Sequence, residues 1–379
     1  MTPHGKMTGH GGTGDRTDVL AVAALMRRSL RGGAVRRMAV PLREVVEDGH
    51  GTRFLSMPAV SADLGLCVNK TATITDGPGP TVTSVVPVFS TATGDLLDVL
   101  DGALVTDLKC AAVTALVTDC CAAPDATSLA IIGSGVQAWQ QYLGVSAVRP
   151  ITDVRIHSRT AAHADVLCAR VRRADPSARV RVCASAREAT EGADVISTAT
   201  TSVRPLPIAA RLAPHVHINC MGAHTTDSRE VSRTLMERAA LVVEDIEIAV
   251  AEAGEIHRGA IDLESLVSGD HTGLPGRTTV FSSTGHASLD LITCAHLVTR
   301  QASTTPKGRP YVAQPGTQES AGPPDAQEAQ LASADREFTD ALARRDIVMP
   351  PDLAPGVLAG ARSLRAMSEL LRAVEVSDV

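Results

Sequence analysis

With 379 residues, 44% hydrophobic and 21% charged, the chain has the composition of a globular protein long enough for two domains and a sizeable core. Aromatic residues make up only 2% and the net charge is −6, which argues against base-stacking platforms and against an electrostatic nucleic-acid surface. No run of about 18 apolar residues occurs, so no membrane span is expected; the eight cysteines, none in a C-x-x-C pair, read as reduced thiols of a cytoplasmic protein without a metal-ligand set.

Residues 1–16 are rich in Gly, Thr and His and read as a disordered leader. From Val19 to Leu30 apolar residues recur at helical spacing and stop at Gly32-Gly33. Short alternating segments follow at Met38–Val46, Thr52–Met57, Gly65–Ile74, Thr81–Phe89 and Leu96–Leu100, parted by turn signals at Asp76–Pro80 and Thr93–Asp95. They predict an antiparallel sheet in a first domain, residues 17–125. Ala103–Cys121 is Ala-rich and nearly uncharged, the mark of a helix buried on most sides. Asp107 and Lys109 within it then require partners, unless Lys109 snorkels to the surface.

Ser128–Ala138 is the most informative stretch. Leu129–Ile132 reads as a buried strand, and Gly133 and Gly135 follow at once, before a helix that begins near Val136. Glycines at that point let the backbone turn sharply and approach a ligand, while the helix start presents N–H groups and a positive dipole end to an anion. Ala138 fills the third position of the dinucleotide fingerprint Gly-x-Gly-x-x-Gly/Ala. Strand segments recur at Val154–Ser158, Val180–Cys183, Val195–Thr198, Val216–Asn219, Leu241–Glu244 and Thr279–Ser282 with helices between them. This alternation predicts an α/β fold with a doubly wound parallel sheet over residues 126–285.

The second of these strands ends His157-Ser158-Arg159-Thr160, with no carboxylate for a ribose hydroxyl. Ser158, Arg159 and Thr160 therefore point to a 2′-phosphate, and NADP(H) is expected ahead of NAD(H), with a solvated Arg159 as the alternative. Residues 286–300 read as a helix returning to the first domain. Residues 301–333, rich in Pro, Gly, Ser, Thr and Gln, read as a linker, and 334–379 as a helical tail whose apolar stripe needs a surface, on this chain or on a protein partner.

From about Val35 to Val298 the chain resembles the ornithine cyclodeaminase and mu-crystallin family, which includes archaeal-type alanine dehydrogenases and ketimine reductases. The resemblance rests on Val40-Pro41-Leu42-Arg43, Ser56-Met57-Pro58-Ala59, Gly94–Ala103, the Gly133-Ser134-Gly135-Val136-Gln137-Ala138 turn, Gly192–Ile196, His217–Gly222 and Thr279–Gly285, in the family's order. It implies hydride transfer between the α-carbon of an amino acid or imine and a nicotinamide cofactor, and a first domain that carries substrate groups and forms a homodimer. Cofactor contacts are implied at Gly133, Ser134, Gly135, Val136, Gln137, Thr198, Met221 and Gly222.

Carried over to the substrate side, the resemblance gives Arg43 as the arginine for the substrate carboxylate, a role that suits its bidentate fork. The family lysine of Gly-x-Lys falls on Cys67, in Gly65-Leu66-Cys67, so an ammonium is missing there; Lys70 replaces it only through a bulge or a shifted register. Cys67 itself reads as a small buried thiol rather than a nucleophile. The second carboxylate arginine is Lys109, and the cyclodeaminase aspartate is His224, placed to shuttle a proton to an imine nitrogen or simply to line the cleft. Asp227 is a further candidate acid or a turn cap. The expected function is an NAD(P)-dependent oxidoreductase on C–N bonds of a carboxylate-bearing amino acid or imine. The alternative is a cofactor-bound, catalytically weak binding or accessory protein of the mu-crystallin type.

Overall fold

The computed structural model describes residues 15–75, 82–222, 225, 226, 228–269 and 271–304, the last four by their backbone. The N-terminal leader up to residue 14, the Asp76–Pro80 turn, His224, Asp227 and nearly all of the linker and tail lie outside the described residues. All described residues belong to one compact unit ending at Pro306. Among them no helix is long and apolar enough to cross a membrane.

The first helix, α1 (Arg16–Arg31), starts where Asp15 accepts hydrogen bonds from the backbone of Thr17 and Asp18, and it buries Val19, Val22, Met26 and Leu30 along one stripe. Five antiparallel strands follow in chain order: β1 (Glu44–Glu47), β2 (Arg53–Ser61), β3 (Leu66–Ile74), β4 (Val82–Ser90) and β5 (Leu96–Asp101). The first strand is shorter than its pattern predicts. Pro41 lacks an N–H, and upstream of Glu44 only Ala39 makes an isolated bridge, to Val60. β2 runs longer than predicted, to Ser61, because its register with β3 is unbroken from Arg53–Ile74 to Ser61–Leu66.

That register decides the faces of the sheet. On β3, Leu66, Val68, Lys70 and Ala72 point into the core, and Cys67, Asn69 and Thr71 point the other way. Through the pairs Val60–Cys67 and Val46–Phe54, the outward face gathers Val46, Phe54 and Val60, all exposed. Val99 of β5, opposite Pro87, is exposed as well.

α2 (Gly102–Cys121), capped by Asp101, is buried nearly all round and packs against α1, α3, β4 and β10. The second sheet is built from β6 (Ser128–Ile132), α3 (Val136–Val148), β7 (Asp153–His157), α4 (Ala161–Ala174), β8 (Arg179–Val182), α5 (Ala186–Thr190), β9 (Val195–Thr198) and β10 (His217–Cys220). It continues through α6 (Arg233–Arg238), β11 (Ala240–Val243), α7 (Ile246–Ala253), β12 (Ile261–Asp262), α8 (Leu263–Ser268) and β13 (Thr279–Ser282). Its strands are parallel, in the order β12-β11-β13-β10-β9-β6-β7-β8. The order reverses at β6, between β7 and β9, which sets a ligand crevice at that strand's carboxyl end. Only the two-residue β12 has no counterpart among the predicted strands. α9 (Ala287–Thr304) returns to pack on α1, α2, β2 and β3.

Inside the parallel sheet, His217 is fully buried. Its Nε2–H donates to Asn219 Oδ1 at 3.1 Å and Nδ1 accepts from the Thr279 hydroxyl at 2.8 Å. Burial pushes its pKa down from 6.5 to about 4. Between those values the unfolded chain binds a proton that the folded one refuses, so stability falls as pH drops through this window, by roughly 3 kcal/mol. In His217→Gln that part of the slope should vanish, giving a smaller difference between denaturation midpoints at pH 7 and pH 4.5 than in the wild type.

Candidate active site

The carboxyl end of β6 leads directly into the glycine turn. Gly133 has φ +119°, and a Cβ there would lie 2.3 Å from the carbonyl oxygen of Ala199, so only glycine fits. Gly135 caps α3 with no side-chain hydrogen bond, and a Cβ on it would meet nothing within 4 Å. The first turn of α3 thus offers N–H groups to open space, the arrangement that accepts a phosphate, while Ala138 is fully buried against the sheet. This cradle fits the pyrophosphate of a dinucleotide. Two predicted cofactor residues are engaged elsewhere. Gln137 turns its amide away to donate to Asp107 Oδ1 at 3.0 Å, and the Ser134 hydroxyl donates to Ser158 Oγ at 2.8 Å. Burial raises the Asp107 pKa from 3.8 to about 6, against the bonds from Gln140 and Gln137.

The loops at the ends of β9 and β10 are tied by one carboxylate that sequence reasoning missed. Glu230, fully buried, accepts from the Thr198 hydroxyl at 2.7 Å, the Thr200 backbone at 2.8 Å and hydroxyl at 2.6 Å, and the Gly222 backbone at 2.7 Å. A Cβ on Gly222 would lie 2.4 Å from the carboxyl carbon, so glycine is required for this closeness. Thr198, Met221 and Gly222 are thereby fixed along one edge.

Met221 and Gly222 also line a cleft of about 540 Å³ whose opposite wall comes from the first sheet and the segment before it. Its polar lining includes Arg43, Lys109, Cys110, Glu252 and the backbone of Ser283–Gly285, and Val45, Leu55 and Ile74 form an apolar wall. Arg43 Nε and Nη2 donate to the two carboxylate oxygens of Glu252 at 2.6 and 2.5 Å, and Nη2 also reaches the carbonyls of Thr284 and Gly285 at 2.6 and 3.4 Å. Glu244 supports that loop, accepting from the Ser283 hydroxyl and the Thr284 and Gly285 backbone.

Lys109 does not snorkel. It is 5% exposed, faces Gly285 (3.5 Å from the position a Cβ would take) and makes no hydrogen bond among the described residues. Burial opposes its charge, but the carboxylates of Asp290 and Glu244 favour it, and its pKa lies above the ordinary lysine value. Burial also pushes the neighbouring Cys110 thiol up, which keeps it protonated and poorly nucleophilic.

The register of β3 fixes which way Cys67 and Lys70 face. Cys67 is on the outward face, away from the cleft, and Lys70 is on the buried face with no bulge needed. Lys70 Nζ, 7% exposed, donates to Asp290 Oδ1 of α9 at 2.9 Å, and Asp290 Oδ2 has no partner among the described residues. Lys70 thus stands on the buried face, three residues along the strand from the position that the resemblance gives to the family lysine. Asp290 was legible in principle, since it is a lone charge in the apolar run Ala287–Cys294. Glu230 and Glu252 carry no such signal. His224 and Asp227 lie outside the described residues.

The sequence matches the ornithine cyclodeaminase/mu-crystallin family over residues 18–305. Ketimine reductase mu-crystallin of Rattus norvegicus is 35% identical over 261 residues, 66% of this chain and 82% of the relative. Delta(1)-pyrroline-2-carboxylate reductase of Paracoccus denitrificans is 33% identical over 247 residues, 60% of this chain and 77% of that protein. The structure of Thermococcus litoralis Delta(1)-pyrroline-2-carboxylate reductase in complex with NADH and L-proline superposes with a TM-score of 0.69 at 25% identity, covering 76% of this chain and 97% of that one. The NADH in that complex overturns the expectation of NADP(H). In this chain Ser158 is engaged by Ser134 and Arg159 is exposed, so the end of β7 holds no assembled 2′-phosphate site. The chain belongs to the ornithine cyclodeaminase/mu-crystallin family.

Proposed function

We infer that the protein is an NAD(H)-dependent oxidoreductase acting on the C–N bond of a small carboxylate-bearing amino acid or imine, of the kind the P. denitrificans and T. litoralis relatives are named for. The observation that carries this reading is Lys109, a buried ammonium without a hydrogen-bond partner among the described residues, lining a cleft that ends at Met221 and Gly222. Buried cations need an anion, and a substrate carboxylate between Lys109 and Arg43 supplies one. A nicotinamide dinucleotide bound at Gly133, Gly135 and the start of α3 supplies or accepts the hydride at the substrate's α-carbon.

The chain's own groups divide the remaining work. Lys109, its charge reinforced by Asp290 and Glu244, is a fixed anchor rather than a proton donor. Lys70, held by Asp290, carries the proton for the substrate nitrogen at Nζ, the role the resemblance gives to the family lysine. The apolar walls Val45, Leu55 and Ile74 exclude water from an imine. A buried ammonium at Lys70 supports this reading over the alternative of a cofactor-bound, catalytically weak binding protein. The exposed apolar face with Val46, Phe54, Val60 and Val99 is assigned to a homodimer contact. The 334–379 tail, outside the described residues, receives no partner.

Lys109→Met is expected to raise KM for Delta(1)-pyrroline-2-carboxylate by roughly 10- to 100-fold with NADH affinity unchanged, the loss expected of charge-assisted hydrogen bonds; steady-state kinetics and NADH fluorescence titration measure both. An unchanged KM would place the carboxylate elsewhere. Phe54→Glu should shift the protein from dimer to monomer in size-exclusion chromatography with light scattering, without altering the far-UV spectrum.

A further inference from the structure

Arg43 is the residue that the substrate reading needs, yet its fork is already taken. The edge formed by Nε and Nη2, which a substrate carboxylate would use, is filled by both oxygens of Glu252. The two partners come from different layers of the molecule: Arg43 precedes β1 of the antiparallel sheet, and Glu252 belongs to the last turn of α7 beside the parallel sheet. We propose that Glu252 is an internal competitor for the substrate carboxylate, holding the fork of Arg43 until an incoming carboxylate displaces it. This inference rests on the substrate reading above and adds to it a determinant of affinity.

Three observations favour competition over a purely positioning role. Arg43 does not depend on Glu252 for its place, because Nη2 is also held by the carbonyls of Thr284 and Gly285, in the loop that Glu244 supports. A second cation stands nearby: the Lys109 ammonium faces Gly285, whose carbonyl accepts from Arg43, and Glu252 makes no hydrogen bond to it among the described residues. Glu252 has somewhere to go. Its side chain is 18% exposed at the cleft wall, and the helix ends two residues later at Gly254, whose φ of +95° ends the helical backbone. Release of the carboxylate into the cleft mouth restores its hydration, which offsets part of the ion pair lost.

The test uses the full chain with NADH bound. Pyrrole-2-carboxylate and its uncharged analogue pyrrole-2-carboxamide are titrated by calorimetry into wild type, Glu252→Gln, Glu252→Ala and Arg43→Ala. NADH affinity and thermal midpoint serve as folding controls, and the near-isosteric Gln variant covers the case in which Ala perturbs α7. Competition requires that both Glu252 variants bind the carboxylate tighter, by roughly ten-fold, with the carboxamide unchanged and with a matching fall in KM for Delta(1)-pyrroline-2-carboxylate. Weaker or unchanged carboxylate binding in both Glu252 variants, with Arg43→Ala still harmful, overturns the proposal and makes Glu252 a positioning residue. If Arg43→Ala leaves carboxylate binding unchanged, the substrate reading of the cleft itself fails, and the competitor role fails with it.

Discussion

An ion pair sealed between β3 and α9 governs the architecture. Lys70 and Asp290 are separated by 220 positions in the chain and meet at 2.9 Å, with side chains 8% and 0% exposed. Neither charge is affordable alone, since leaving one such partner buried and unpaired costs about 3–5 kcal/mol. The chain must therefore come back from the parallel sheet and lay α9 across the first sheet. Asp290 also contributes to the charge balance of Lys109, so the pair that closes the fold also keeps the cleft cationic.

The same device, a buried carboxylate that gathers donors, recurs at each loop bordering the cleft. Glu230 joins the ends of β9 and β10, Glu244 collects the loop after β13, and Glu252 meets Arg43 across the two layers. Glu230 and Glu244 each gather several backbone and hydroxyl donors on one desolvated acceptor, a favourable exchange only when all the bonds form together. The ends of β9 and β10 are consequently tied together where Met221 and Gly222 stand. Glycine at 133 and 222 follows from this crowding, because carbonyl or carboxylate atoms occupy the space of a Cβ.

Much of this fold was legible in the sequence because periodicity and burial carry the signal. The parallel strands and the glycine turn stood out as short β-branched runs bounded by turn residues, and α2 as a helix with almost no polar face. The site was legible only in part. Placing the lysine at Cys67 counted from a motif, whereas facing is set by the two-residue period of β3 and its pairing with β2, which put Lys70 inward. Ser158, Arg159 and Thr160 were read by residue type, and type does not reveal that the Ser158 hydroxyl is bonded across to Ser134. Glu230 and Glu252 gave no pattern at all, since their meaning comes from donors contributed by distant loops.

The burial of α2 on nearly every side has a consequence for how the molecule comes apart. The helix touches β4 of one sheet and β10 of the other, together with α1, α3 and α9, and only Ala103 and Asp119, near its ends, are exposed. At its crossing with α3, Gly144 brings the backbones so close that a Cβ there would lie 2.5 Å from the Ala111 carbonyl oxygen. Neither sheet can lose its structure without stripping an apolar helix that the other also needs. The two layers should therefore melt together as a single cooperative unit rather than one before the other.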